Sequence, residues 1–298
     1  MESIGVGLFF SSIPASGQGG NPLSFTVDLH LHTTASDGTL TPTQLVKLLA
    51  ENGLKLIAIT DHDSLEGIPE AKAELVKHPG MTLIPGVEIS ADIDDSEVHV
   101  LGYHLDENNP ELQKVLAHFR KGREGRGEKM VAKLNEMGFA ITWERVVELA
   151  QGGAIARPHV ARALLEKGYI TELREAFDKY IGRGGPAYVS REKMSPADSV
   201  ELISKFGGIP VLAHPTYTKD PESLVASLVS KGLAGMEVYY KNYNEKTVNW
   251  LHDIAKRHGL LALGGSDYHA SHESDEVEPG LVGPPAENGQ RLLEMGPR

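Results

Sequence analysis

The stretch Val27-Asp28-Leu29-His30-Leu31-His32-Thr33-Thr34-Ala35-Ser36-Asp37-Gly38 governs how the rest of the chain reads. An extended segment sends alternate side chains to one face, so His30 and His32 emerge side by side where a buried strand ends. Asp37 follows one loop later, where it can supply a carboxylate or cap the Asp-Gly turn. Neutral imidazole and carboxylate are the ligands that manganese, iron and zinc accept. With 13 histidines in 298 residues, one His-x-His pair is a weak signal. Its weight comes from what recurs downstream.

Outward from this stretch, short apolar runs alternate with amphipathic ones. Strands are predicted over 26–31, 56–60, 82–85 running into 86–90, and 97–103. Helices are predicted over 41–53, with Thr41 as N-cap and Gly53 as stop, and over 69–77. This cadence is the sequence form of a parallel α/β sheet or barrel. Between 106 and 186 only helices are read, over 110–121, 127–137, 143–151, 158–167 and 171–180. The rhythm resumes with helices over 196–206, 221–231 and 244–258 and strands over 209–213, 235–239 and 260–264. The implied organisation is a leader over 1–23, a discontinuous barrel over 24–105 and 187–283, a helical insertion or lid over 106–186, and a loop-like tail over 284–298. The leader lacks a basic residue and has a very short apolar run, which favours disorder over a signal peptide.

Polar residues cluster where these strands end. The second ends in Thr60-Asp61-His62-Asp63 and the third runs through Gly86-Val87-Glu88-Ile89-Ser90. His99 lies inside the fourth, His214-Pro215 follows the fifth, and the last runs into Gly265-Ser266-Asp267-Tyr268-His269. Strand ends of a parallel barrel converge on one rim, where active sites lie. Buried charges placed there repeatedly cost several kcal/mol each unless something compensates, and metal coordination does. A core histidine is the plainer alternative for His99. Asp61 and Asp63 read equally as ligands, supports of His62 or loop caps. His78, His104, His118, His252, His258 and His272 fall outside the pattern and read as surface or structural residues.

Bulk properties narrow the function. A net charge of −12 argues against a broad grip on nucleic acid, duplex included, so an anionic substrate requires a local positive site. No apolar run approaches membrane-helix length. The absence of cysteine excludes disulfides, thiolate metal sites and a cysteine nucleophile, and reads most simply as cytoplasmic.

Together, Asp28 to Gly38, Thr60-Asp61-His62-Asp63, Glu88, His99, His214-Pro215 and Gly265 to His269 resemble the PHP (polymerase and histidinol phosphatase) family, over about 25–283. The resemblance implies an α/β fold, a distorted (β/α)7 TIM-like barrel with a trinuclear metal centre at its mouth. It implies nine ligands: His30, His32, Asp37, His62, Glu88, His99, His214, Asp267 and His269. Glu88 would bridge two metals, and Glu88 and Asp267 would share in catalysis. The helical insertion and Ala156-Arg157-Pro158-His159 resemble the branch of nucleoside 3′,5′-bisphosphate phosphatases and small 5′→3′ exoribonucleases.

A metal-dependent phosphoesterase is therefore expected, acting on a small nucleotide or the 5′ end of a short oligoribonucleotide through a metal-bound hydroxide. Three divalent ions (manganese, iron or zinc) would bring more positive charge than Asp37, Glu88 and Asp267 offset, leaving a pocket suited to phosphate. Arg157 is the expected phosphate clamp. His159 is the expected phosphate contact or general acid, and Arg191 a further substrate contact. Histidinol-phosphate hydrolysis, amide or lactone hydrolysis, and a non-catalytic metal- or nucleotide-binding module are the alternatives.

Overall fold

A computed structural model describes residues 26–93, 96–190, 194–271 and 275–297. The leader over 1–23, Arg191 and His272 lie outside the described residues. Seven strands follow one another around a single sheet: β1 (Val27–Asp28), β2 (Leu56–Ile59), β3 (Thr82–Ile93), β4 (Ser96–Tyr103), β5 (Ile209–Leu212), β6 (Gly235–Tyr240) and β7 (Leu261–Gly265). The ring closes where Leu29 N–H donates to Gly264 O at 3.3 Å and His32 N–H to Tyr268 O at 3.0 Å.

Alternation along each strand builds two apolar layers. Leu56 and Ala58 of β2 join Ile84, Leu101, Val211 and Leu263 inside the barrel. Ile57 and Ile59 face the other way, into the layer shared with the surrounding helices. The first of those helices, α1 (Pro42–Glu51), begins as its sequence dictates. Thr41 Oγ1 accepts from Gln44 N–H, Gln44 Oε1 accepts from Thr41 N–H, and Pro42 fills the first turn. The helix α2 (Ile68–Leu75) follows β2.

The expectation of uniformly parallel strands needs correcting at β4, which runs antiparallel to both β3 and β5. Ile93 pairs with Ser96, so the β3–β4 connection is too short for the helical crossover that parallel strands require. Two predicted helices, over 110–121 and 127–137, are one: α3 (Pro110–Glu136). Gly122 and Gly125, between the two predicted segments, continue the helix in open space. A Cβ on Gly127 would sit 3.0 Å from the Trp143 ring, so this glycine lets the next helix approach closely. The insertion continues with α4 (Trp143–Leu149), α5 (Arg157–Glu166) and α6 (Leu173–Ala176). The helix predicted over 171–180 passes into a π-helical turn at Phe177–Ile181. These helices bury their own core, with Met130, Leu134, Val146, Val160, Leu164 and Ile181 at its centre.

The barrel's remaining crossovers are α7 (Pro196–Lys205), α8 (Pro221–Val229) and α9 (Glu245–Arg257). The predicted loop-like tail is a helix, α10 (Ala286–Glu294), that seals the floor of the barrel. Leu292 is fully buried against the inner layer, and Asn288 Nδ2 donates to Ala262 O at 2.8 Å. His104 Nε2 meets Leu292 O at 2.9 Å. Leu292→Ala is expected to lower stability by about 2–5 kcal/mol, because the cavity opens in a layer that cannot collapse. Thermal unfolding checks this; an unchanged midpoint would show that α10 merely lies on the surface.

Candidate metal centre

The strand ends converge at the mouth, and Glu88 is the hub. Its Oε2 lies 3.3 Å from His30 Nε2, 3.2 Å from His32 Nε2 and 3.2 Å from His62 Nδ1. Its Oε1 lies 2.6 Å from His99 Nδ1 and 3.2 Å from His214 Nε2. Asp267 Oδ1 lies 3.3 Å from His30 Nε2 and 3.2 Å from His32 Nε2. Asp37 sits on the far side of His32, with Oδ1 3.4 Å from His269 Nε2 and Oδ2 3.8 Å from His62 Nε2. All nine predicted ligands are thus brought together. His99 reaches the rim from within a strand because β4 runs down from it, so the first half of β4 lies at the mouth.

Local sequence explains the presentation. Asp61 is a support: its carboxylate accepts from Thr33 N–H and Thr33 Oγ1 at 2.7 Å each, and from Ser36 Oγ at 2.5 Å, fixing the loop that carries Asp37. Asp63 takes an ion pair from Arg123, whose guanidinium also donates to Ser90 Oγ. Asp28 accepts from the N–H groups of His30 and Ser266, and burial pushes its carboxyl up to about 7. The backbone is left-handed at Asp63 (φ 50°), His214 (φ 26°) and Asp267 (φ 51°). Such strain at non-glycine residues persists only where the surroundings enforce it, and it gathers at functional sites.

Three overlapping groups have ligand atoms within 4.8 Å of one another: His32, Asp37, His62 and His269; His30, His32, Glu88 and Asp267; and His62, Glu88 and His99. The donor set fits a divalent metal. His30 Nε2, His32 Nε2, His62 Nδ1 and Asp37 Oδ1 are buried yet make no hydrogen bond to protein. Each such atom costs about 1–3 kcal/mol unless a partner of another kind compensates. The charges are mutually poised. Burial opposes a charge on His32, but Asp267 and Glu88 push it up to about 10. Burial likewise opposes ionisation of Glu88, yet the facing histidines hold it well below the usual carboxylate range.

Around this hub lie residues of two kinds. Arg157, the expected phosphate clamp, pairs through Nη2 with Glu97, and its guanidinium lies 5.6 Å from the Phe177 ring. Glu97 in turn lies 3.5 Å from His99 Nε2, so Arg157 is tied to the centre. His159, at the start of α5, accepts the Ala156 N–H through Nδ1 at 2.9 Å, and burial pushes it down to about 4. With Nδ1 accepting, the ring proton sits on Nε2. Sequence reasoning missed Lys241, just past β6, whose Nζ lies 3.2 Å from Asp267 Oδ2. Tyr240 O–H donates to the same oxygen at 2.7 Å. Lys241 also lines a cavity of about 170 Å³ with Asp37, Pro158, Arg162, Phe177 and His269. Tyr217 was missed too: it is 59% exposed on the rim, with its ring centroid 4.8 Å from that of His214. Position was an available signal for Lys241, which follows a strand end directly, but not for Tyr217, which closes the short turn Pro215–Tyr217.

A barrel that gathers imidazoles and carboxylates at its mouth in this way has a matching family model: the PHP domain, over residues 28–186. The chain belongs to the PHP domain family, and it is a metal-dependent phosphoric ester hydrolase. Among particular relatives, it is 36% identical to the 5′-3′ exoribonuclease Rnm of Escherichia coli, over 81% of this chain and 84% of that one. It is 34% identical to the 3′,5′-nucleoside bisphosphate phosphatase of Chromobacterium violaceum, over 83% and 88%. A solved structure from Bifidobacterium adolescentis, described as a metal-dependent phosphoesterase, superposes with a TM-score of 0.84 at 30% identity, over 93% of this chain and 99% of that one. Among the described residues, no helix is long and apolar enough to cross a membrane.

Proposed function

We propose that this enzyme hydrolyses a phosphate ester of a small nucleotide, either a nucleoside 3′,5′-bisphosphate or the 5′ end of a short oligoribonucleotide. The observation that carries this reading is the convergence of five imidazoles on Glu88, two of them shared with Asp267, with ring nitrogens left unpartnered. His30, His32, Asp37, His62, Glu88, His99, His214, Asp267 and His269 would hold three divalent ions of the manganese, iron or zinc class. Bound there, such ions supply a water acidic enough to ionise near neutral pH and a Lewis acid for phosphoryl oxygens.

The chain's own residues do the rest. Glu88 offers one oxygen to His30, His32 and His62 and the other to His99 and His214, so it stands between the ligand groups. Tyr240 and Lys241 hold Asp267 Oδ2, leaving Oδ1 turned toward His30 and His32. Lys241 provides the local positive charge that an anionic ester needs in a protein of net charge −12. His159 donates its Nε2–H to the substrate, and Arg157 steadies the α5 end of the mouth. A cavity of about 170 Å³ favours a small phosphorylated substrate over a duplex. The absence of cysteine supports a cytoplasmic location.

Phosphate release from adenosine 3′,5′-bisphosphate and histidinol phosphate, and mononucleotide release from a 5′-phosphorylated dinucleotide, after loading with manganese or zinc, test the reading. Release from either nucleotide supports it. Turnover of histidinol phosphate alone would move the substrate to that ester, and silence on all three with metal bound would favour a binding role. The exposed ring of Tyr217 favours a nucleobase, because stacking is worth about 1–3 kcal/mol per base. Tyr217→Ala is expected to raise KM for the dinucleotide roughly ten-fold more than for p-nitrophenyl phosphate. Equal changes for both esters would remove Tyr217 from base recognition.

A further inference from the structure

None of the nine proposed ligands comes from β6, and its apolar run Gly235-Met236-Glu237-Val238-Tyr239 contains one acid. Met236 and Val238 face the helices, and Glu237 points into the barrel, fully buried. A carboxylate taken entirely out of water is costly unless both oxygens are matched by donors. Both are. Oε1 lies 3.0 Å from His30 Nδ1, and Oε2 accepts the His214 N–H at 2.7 Å.

Each contact has a consequence at the mouth. A carboxylate only accepts, so His30 carries a proton on Nδ1, which leaves Nε2 as the nitrogen that can take a metal. That nitrogen is the one lying 3.3 Å from both Glu88 and Asp267 without a hydrogen bond. The second contact grips the backbone of His214 at φ 26°, a conformation that a histidine does not keep unaided. From there His214 Nε2 reaches Glu88 Oε1 at 3.2 Å.

We propose that Glu237 is the positioning residue of the centre, a single buried carboxylate that fixes the tautomer of His30 and the strained backbone of His214, so that ligands from β1 and β5 face the metal together. This rests on the reading that His30 and His214 are metal ligands. The carboxylate touches no reacting atom and acts through these two residues.

Glutamine at this position keeps the volume but can accept from only one of the two donors. Glu237→Gln in the full chain is expected to lower Zn²⁺ affinity about 10- to 100-fold, the usual effect of losing a carboxylate behind a metal-bound histidine. Competition against a chromophoric chelator, with zinc content measured on the same samples, reads this directly. The thermal midpoint of the zinc-stripped variant is expected to stay close to that of the stripped wild type. Wild-type affinity in a stably folded variant, or a lowered midpoint with unchanged affinity in the folded fraction, would overturn the positioning role. Should the variant not fold, ¹⁵N-histidine NMR of the zinc-loaded wild type decides. Zinc on Nε2 of His30 with a proton on Nδ1 supports the role, and zinc on Nδ1 overturns it. Wild-type protein that takes up no zinc would overturn the metal reading itself, which the chelator assay separates from a defect confined to the variant.

Discussion

Glu88→Gln is expected to reduce phosphate release by at least about 10³-fold, equivalent to roughly 4 kcal/mol of lost transition-state stabilisation. The substitution preserves shape, so the loss is one of charge and lone pairs. Glutamate offers two acceptor oxygens to five imidazoles at 2.6–3.3 Å. Glutamine replaces one oxygen with an NH₂ that donates, and it turns that donor toward nitrogens whose lone pairs are needed for metal. Metal content should fall together with turnover, because the carboxylate is common to two of the three ligand groups. Elemental analysis beside a phosphate-release assay checks both. Wild-type turnover in this variant would sink the assignment of the centre as the active site.

Lys241→Ala is expected to lower kcat/KM by about 10²-fold while bound metal is retained. An ammonium group preorganised toward a developing anion typically contributes 10²- to 10³-fold, that is about 2.7–4 kcal/mol. Lys241 is only 16% exposed and lines the cavity beside the centre, so solvent screens it little. Metal should stay because Tyr240 still holds Asp267 Oδ2 at 2.7 Å. The split between steps is informative. A rise in KM alone places the ammonium on the bound substrate, whereas a fall in kcat places it on charge that develops during the reaction. Unchanged kinetics would reduce Lys241 to a salt-bridge partner of Asp267.

The residues that could be found in the sequence were those whose meaning is local. His30 and His32 declare themselves because alternate positions of an extended chain share a face, and His62 and His214 because they follow apolar strands directly. Thr41-Pro42 marks a helix start whose cap needs only nearby groups. What stayed hidden depends on pairing between distant segments. Glu237 looks like a lone acid in an otherwise apolar strand until the register of β6 and the position of His30 put it behind the centre. The rim position of His99 depends on the direction of β4, which the sequence of β4 does not state. Lys241 and Tyr217 gain meaning only from Asp267 and His214. The helix α10 offers only Leu292 and Leu293 as apolar anchors, too few for a periodic pattern, and forms because the barrel floor is there to receive them.

The reversal at β4 also dictates how the helical insertion is built. A parallel strand would release the chain at the rim, where a loop could drape over the mouth. The downward run of β4 releases it near the floor instead, and the chain must climb the barrel wall to return. The single helix α3, about 40 Å long for its 27 residues, makes that climb. Leu112 and Leu116 seat its first half in the barrel's outer layer, and Met130, Val131 and Leu134 carry the core of the insertion on its second half. The insertion is therefore mounted on a stiff mast footed in the barrel. Its height and bearing over the metal centre are set by helix geometry, and substitutions at the foot of the mast can tune what the mouth admits from some 20 Å away.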